Sequence, residues 1–205
     1  AETTDADTLD SFLTDGFQVD ADTKVNTNAE TYVSFNWKKS ATSGIDIVAW
    51  DGNGANRNIS HACGGIPRLM LVKRLDGANN FEVYHGSIGA TKHLYLNETD
   101  AAATDTDRWN DTEPTSSVFT VGTQIGVNAS GSNYIGYIFA PIQGFSKFGI
   151  YNGTNNVNGG FIYTGFKPAF VLTKKTTAAA PYMWNNKANG FNGAGGNNSL
   201  YPHHA

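Results

Sequence analysis

The sequence predicts an all-β protein, an antiparallel β-sandwich of jelly-roll or concanavalin-like type, and three observations carry that expectation. Apolar residues rarely recur at spacings of three and four, and Gly, Asn or Pro interrupts almost every window of ten, so helical periodicity is nearly absent. Short runs rich in β-branched and aromatic residues alternate instead with Gly- and Asn-bearing turns. Finally, 40 % apolar and 12 % aromatic residues in 205 supply enough material for a buried core.

Ten runs have strand character: Tyr32 to Trp37, Ile45 to Trp50, Arg68 to Val72, Phe81 to Tyr84, His93 to Leu96, Tyr134 to Phe139, Phe148 to Tyr151, Phe161 to Tyr163, Ala169 to Leu172 and Tyr182 to Trp184. Between them stand Asp51-Gly52-Asn53-Gly54, Asp76-Gly77, Asn152-Gly153 and Asn158-Gly159-Gly160, where Gly or Asn accepts positive φ. Hairpins and meanders follow. The polar stretches Ala1 to Asp10, Thr99 to Asp107 and Gly190 to Ser199 read as exposed connectors.

The strand runs repeat. Tyr32-Val33-Ser34-Phe35-Asn36-Trp37 matches Tyr134-Ile135-Gly136-Tyr137-Ile138-Phe139 at an offset of 102. Trp50-Asp51-Gly52 answers Tyr151-Asn152-Gly153, Gly64 to Arg74 answers Gly165 to Lys175, with Pro67 against Pro168, and Phe81 and Val83 answer Tyr182 and Trp184, all at 101. A constant offset across blocks in order predicts an internal duplication of about 100 residues, with related halves at about 1–98 and 99–205. Read around a circle, Ser199 to Pro202 takes the place of Leu94 to Asn97, and Phe12 to Val19 lies near the place of Phe119 to Ile125. The chain therefore reads as a slice of a longer repeating polypeptide, or as two halves interlocked by swapped terminal strands.

A net charge of −4, with 14 Lys and Arg against 18 Asp and Glu, is too weak to suggest a nucleic acid or an anionic membrane as partner. Asn, Thr, Ser and Gly fill 78 positions, which predicts a polar, largely uncharged surface. No apolar run approaches the roughly 18 residues that span a bilayer. Cys63 is the only cysteine and cannot form an internal disulfide.

The run Asn128 to Ala140, followed by Gly144 to Gly153 and Phe161 to Leu172, resembles an uncharacterised β-rich domain family of marine tailed-phage tail-fibre and virion-surface proteins. Val118 to Thr123 upstream and Asn185 to Asn192 downstream are similar to that family as well. The resemblance implies a location and a role: a structural or adhesion component of the virion surface, such as a tail fibre, an appendage or a capsid decoration. It carries over no catalytic residue.

The chemistry-bearing residues point the same way. His61 and Cys63 share a strand face, but His85 and His93 lie on other runs and no second Cys completes a tetrahedral set, so no metal or other cofactor is expected. Ser87 lies between glycines in His85-Gly86-Ser87-Ile88-Gly89, but the first glycine of a nucleophile elbow is missing and no strand-to-helix crossover precedes it. Asp46, Asp51 and Glu82 are scattered rather than paired as in a glycosidase. Asp51-Gly52-Asn53-Gly54-Ala55-Asn56 begins like a calcium loop but places Ala55 at the third ligand and lacks the closing Glu. The expectation is a protein that is not an enzyme.

Three residues remain as candidate glycan or subunit contacts: Asp51 and Asn53 in the Gly-rich turn, and Trp109 in a polar connector, where it either anchors that connector or is exposed for sugar stacking. The expected partners are further copies of the chain or other virion proteins, with a host-surface glycan as an additional candidate. A carbohydrate-binding β-sandwich module is the alternative role.

Overall fold

The computed structural model describes residues 5–157, 159–187 and 199–202. The chain divides into two compact units, Glu2–Asn36 and a larger one that runs from Trp37 onward and is grouped with Ala1. Most of the expected connector Gly190 to Ser199 lies outside the described residues, as do Ala188 to Asn192 of the downstream block, Asn158 of its turn and the first four residues of Ala1 to Asp10.

The smaller unit is an antiparallel hairpin of β1 (Leu9–Phe12) and β2 (Phe17–Val19), followed by one helical turn, α1 (Thr23–Asn26). Asp22 caps α1 by accepting from the Lys24 amide at 2.7 Å. The expected strand Tyr32 to Trp37 has no ladder among the described residues.

In the larger unit the strands are β3 (Ile45–Asp51), β4 (Arg57–Ser60), β5 (Leu69–Arg74), β6 (Glu82–His85), β7 (Lys92–Tyr95) and β8 (Ala103–Thr104). After the helical turn α2 (Thr106–Trp109) come β9 (Val118–Val121), a second helical turn α3 (Ile125–Asn128), β10 (Asn133–Phe139), β11 (Phe170–Thr173) and β12 (Tyr182–Asn185). One antiparallel sheet has the order β3-β10-β5-β6-β7-β8. β4 pairs with β9, and β11 with β12, in two-stranded antiparallel ribbons. The fold is thus all-β and antiparallel, and its sandwich takes strands from both sides of residue 98. Of the ten expected runs, Tyr32 to Trp37, Phe148 to Tyr151 and Phe161 to Tyr163 form no ladder among the described residues, and β4 and β9 pair where no strand run was read.

The pleat explains which side chains go inward. Along β10, Tyr134, Gly136 and Ile138 are buried and alternate with half-buried positions, and β5 sends Met70 and Val72 to the same core. From the other layer, Ile59 of β4 with Phe119 and Val121 of β9 close over them. Trp50 lies at the centre: it stacks on Tyr134 at 5.7 Å, meets Phe119 edge-on at 5.7 Å, and donates its indole N–H to the Val127 carbonyl at 3.0 Å. Aromatic pairs of this geometry add about 0.5–1.5 kcal/mol each beyond their buried area.

One corner recurs in both units with the same hydrogen bonds. The Tyr134 hydroxyl accepts from the Ala129 amide at 2.9 Å and donates to the Ile125 carbonyl at 2.7 Å; the Tyr32 hydroxyl accepts from Thr27 at 2.9 Å and donates to Thr23 at 3.0 Å. Asn128 donates to the Gly122 carbonyl as Asn26 does to that of Asp20. The Gln124 and Gly122 amides reach Asp107 and Arg108, and those of Asp22 and Asp20 reach Asp7 and Thr8. Gly131 and Ala29, both at positive φ, complete the turn before each tyrosine.

The hairpins correspond as well, with one correction: the register makes Glu82 and Tyr84, rather than Phe81 and Val83, the counterparts of Tyr182 and Trp184, because the second strand is offset by one residue. Leu69 to Val72 pair with His85 to Glu82, and Phe170 to Thr173 with Asn185 to Tyr182. Pro67 and Pro168 each stand two residues before their strand, where a missing amide costs least. Lys73 donates to the Asn79 carbonyl and Lys174 to that of Ala179, each within its own hairpin. A third segment touches each hairpin at the equivalent place: β7 sets Leu94 beside Val83, and an isolated bridge sets Leu200 beside Met183.

Candidate functional site

Besides the exposed ion pairs of Lys24 with Asp5 and Asp22 and of Arg74 with Asp76, two groups of buried ionisable residues stand out among the described residues, each at a joint between elements. The larger lies where α2 meets the sheet. Asp105 caps α2 by accepting from the Asp107 amide at 2.9 Å, which fixes the turn and directs Arg108 inward. The Arg108 guanidinium donates to Glu82 on β6, to Asp105 at 2.9 Å and to the Tyr95 hydroxyl at 2.8 Å, and it lies over the Tyr95 ring. Glu82 and Arg108 are both buried. Burial pushes the Glu82 carboxyl up to about 7, with the Arg108 charge opposing. Burial beside the same guanidinium brings His93 down to about 4. Next to this joint, Glu113 accepts from the Tyr84 hydroxyl at 2.5 Å and from the Ala90 amide at 2.8 Å, and burial followed by that carboxylate drives the phenol well above its ordinary range.

The second place joins β3 to the segment after β4. Asp46, buried, accepts from the Ala62 amide at 2.6 Å, the Ile47 amide at 2.8 Å and Lys39 at 2.8 Å. Burial pulls its carboxyl up, and Lys39 with the two amides more than offsets this, so it ends below the usual carboxylate range. Beside it the Cys63 sulfur lies 3.2 Å from His61 Nδ1 and 3.3 Å from the Gly65 carbonyl, while His61 Nε2 lies 3.1 Å from the Thr115 carbonyl. Nε2 faces a carbonyl and so donates to it, and the Cys63 thiol donates its one proton to the Gly65 carbonyl. Buried, with its pKa raised first by burial, Cys63 is a neutral thiol in the core rather than an activated nucleophile. The adjoining groove of about 400 Å³ is shallow and lined by Lys39, Asp46, Ser60 and His61 among others.

Asp51 and Asn53 stand together at the exposed turn after β3. There the Asn53 carboxamide oxygen accepts from the Ala55 amide at 3.0 Å and from Asn128, the Asn53 amide donates to Asn128, and Arg57 donates to the Asp51 carbonyl. Trp109 does not join them at the surface. It is 1 % exposed and lies edge-on to Tyr84 at 6.0 Å, so the reading of Trp109 as a sugar-stacking or subunit contact is corrected: the ring anchors α2 in the core. Ser87 sits in the turn after β6, its amide donating to His85. Among the described residues no three His, Cys, Asp or Glu side chains come close enough to hold a metal ion, and no helix is long and apolar enough to cross a membrane.

Sequence reasoning missed the Glu82–Arg108–Asp105–Tyr95 joint. Glu82 and Arg108 are 26 residues apart, and only the topology brings them together. A signal existed in the Asp-x-Asp patterns at Asp5 and Asp105, in each of which the first Asp accepts from the amide two residues on, and at Asp105 that bond caps α2.

A family model, Domain of unknown function (DUF7483), matches residues 1–205, and the chain belongs to that family. No curated protein and no solved structure matches it.

Proposed function

We propose that this member of the DUF7483 family is a non-enzymatic structural or adhesion component of a phage virion, a tail fibre, appendage or capsid decoration, displayed at the particle surface in many copies. The observation that supports this reading most is the repeated corner: Tyr134 and Tyr32 make the same pair of hydrogen bonds in the two units. A chain that builds the same tyrosine corner twice is suited to extended or arrayed assemblies, in which stability grows through contacts between like units. The ionisable groups fit a mechanical role, since Glu82, Arg108, Asp105 and Asp46 are each engaged in holding one element to the next. The carbohydrate-binding alternative has lost its ring, because Trp109 faces Tyr84.

Purified particles provide the test. Antibody raised against the chain, used for gold labelling in electron microscopy together with protein mass spectrometry of the particles, should place it at regular positions on a tail or capsid surface. Recovery of the chain only in the particle-free fraction would overturn the proposal.

A further inference from the structure

We propose that Asn152 is a site of spontaneous deamidation through a cyclic imide with Gly153, left open by the fold while the like sequence at Asn53 is protected by it. This goes beyond the virion reading and stands without it.

Two Asn-Gly pairs lie wholly within the described residues, Asn53-Gly54 and Asn152-Gly153. Ring closure brings the glycine nitrogen onto the asparagine Cγ, and glycine favours it because no Cβ crowds that nitrogen and the backbone rotates freely. At Asn53 the rotation is resisted. The Gly54 amide donates to the Asn128 carbonyl at 2.8 Å, and the Asn53 carboxamide oxygen accepts from the Ala55 amide at 3.0 Å and from the Asn128 side chain at 3.1 Å. Asn128 is 0 % exposed, so opening these bonds leaves its polar groups without water. Asn152 and Gly153 are instead exposed, and neither enters a hydrogen bond with another described residue.

The chemistry needs only water. The Gly153 nitrogen gives its proton to solvent base and bonds to Asn152 Cγ; the Cγ–Nδ2 bond breaks, and Nδ2 takes up a proton and leaves as ammonia. Water then opens the imide. Cleavage at Cγ gives aspartate, and cleavage at the main-chain carbonyl leaves the chain running through Cγ as isoaspartate. Either product adds one negative charge to the net −4. The aspartate product also gives Tyr151-Asn152-Gly153 the acidic residue that its counterpart Trp50-Asp51-Gly52 already carries.

The test follows the full chain, folded, over days in mildly alkaline buffer. After digestion, fragment mass spectrometry should find the amide-to-acid mass change at Asn152 about tenfold or more faster than at Asn53. In urea the two rates should approach each other, because the bonds around Asn53 are gone. A Cβ on Gly153 meets nothing within 4 Å, so Gly153→Val keeps the fold while crowding the attacking nitrogen. It should suppress both the mass change and the labelling of the Asn152 peptide by an isoaspartyl methyltransferase with radiolabelled S-adenosylmethionine. An Asn152 that converts no faster than Asn53 in the folded chain, or a difference that persists unchanged in urea, would overturn the proposal. So would conversion of Gly153→Val at the unsubstituted rate, which would mean hydrolysis without the ring.

Discussion

Arg108 on α2 and Glu82 on β6 form an ion pair inside the core, both nearly inaccessible to solvent, and the pair fastens the helical turn to the centre of the sheet. Desolvating two charges consumes most of what their attraction returns, so the pair contributes less to stability than to the placement of α2. Removing one partner is different, because the other stays buried and uncompensated.

Arg108→Ala should therefore destabilise the sandwich by about 3–5 kcal/mol. The double variant Arg108→Met with Glu82→Leu should recover much of that loss. Urea denaturation followed by tryptophan fluorescence measures both, and a double variant no better than Arg108→Ala would show that the cost lies in lost packing.

The tyrosine corners offer a paired comparison. Tyr134→Phe leaves the Ala129 amide and the Ile125 carbonyl without their partner beside a closed core, and should cost about 1–3 kcal/mol. Tyr32→Phe removes the same two bonds at a half-exposed site, where water can replace them, and should cost less than about 1 kcal/mol. Equal losses in thermal unfolding would mean that both tyrosines are equally enclosed in solution.

Cys63 reports on the integrity of the core. With its sulfur between His61 and Gly65 and its ionisation suppressed by burial, it should react with an aromatic disulfide reagent orders of magnitude more slowly than in the urea-unfolded chain. Rapid labelling in native buffer would contradict the buried neutral thiol.

Much of the architecture was legible before the structure, because strand runs announce themselves through β-branched and aromatic residues whichever neighbour they pair with. Ile45 to Trp50 and Tyr134 to Phe139 became β3 and β10 within a residue or two. Pairing order was less legible: β10 inserts between β3 and β5, with paired positions 60 or more residues apart in sequence, and periodicity carries no trace of that. Tyr32 to Trp37 has the same strand character as its counterpart, yet it forms no ladder among the described residues. The joint around Arg108 was hidden for a related reason, since Asp105 and Arg108 lie in a polar segment that reads as a loop while Glu82 and Tyr95 lie on separate strands. Trp109 shows the limit plainly: a tryptophan among Asp, Arg and Asn reads equally as an anchor or as an exposed ring, and only α2, by turning it onto Tyr84, decides for the anchor.

The same joint predicts how stability varies with acidity. Arg108, Asp105 and Lys73 face Glu82, and Arg108, Asp105 and Asp100 face His93. Folded, Glu82 keeps its proton up to about 7, whereas the unfolded chain releases it near 4.5. Between those values the folded state binds more protons, so this group's contribution falls as pH rises. His93 acts oppositely: the unfolded chain takes up its proton below 6.5 and the folded chain only near 4, so its contribution falls as pH drops through that window. Each slope can reach about 1.4 kcal/mol per pH unit, and the two oppose each other where the windows overlap, which predicts weak pH dependence of the unsubstituted chain between them. Glu82→Gln leaves the histidine limb alone, and the urea midpoint should then fall steadily on acidification from 6.5 towards 4. His93→Gln leaves the carboxyl limb, and the midpoint should rise on acidification from 7 to 4.5. Should Glu82→Gln leave the slope unchanged, Arg108 holds the carboxylate ionised throughout, and the attraction between the two outweighs the cost of burying them.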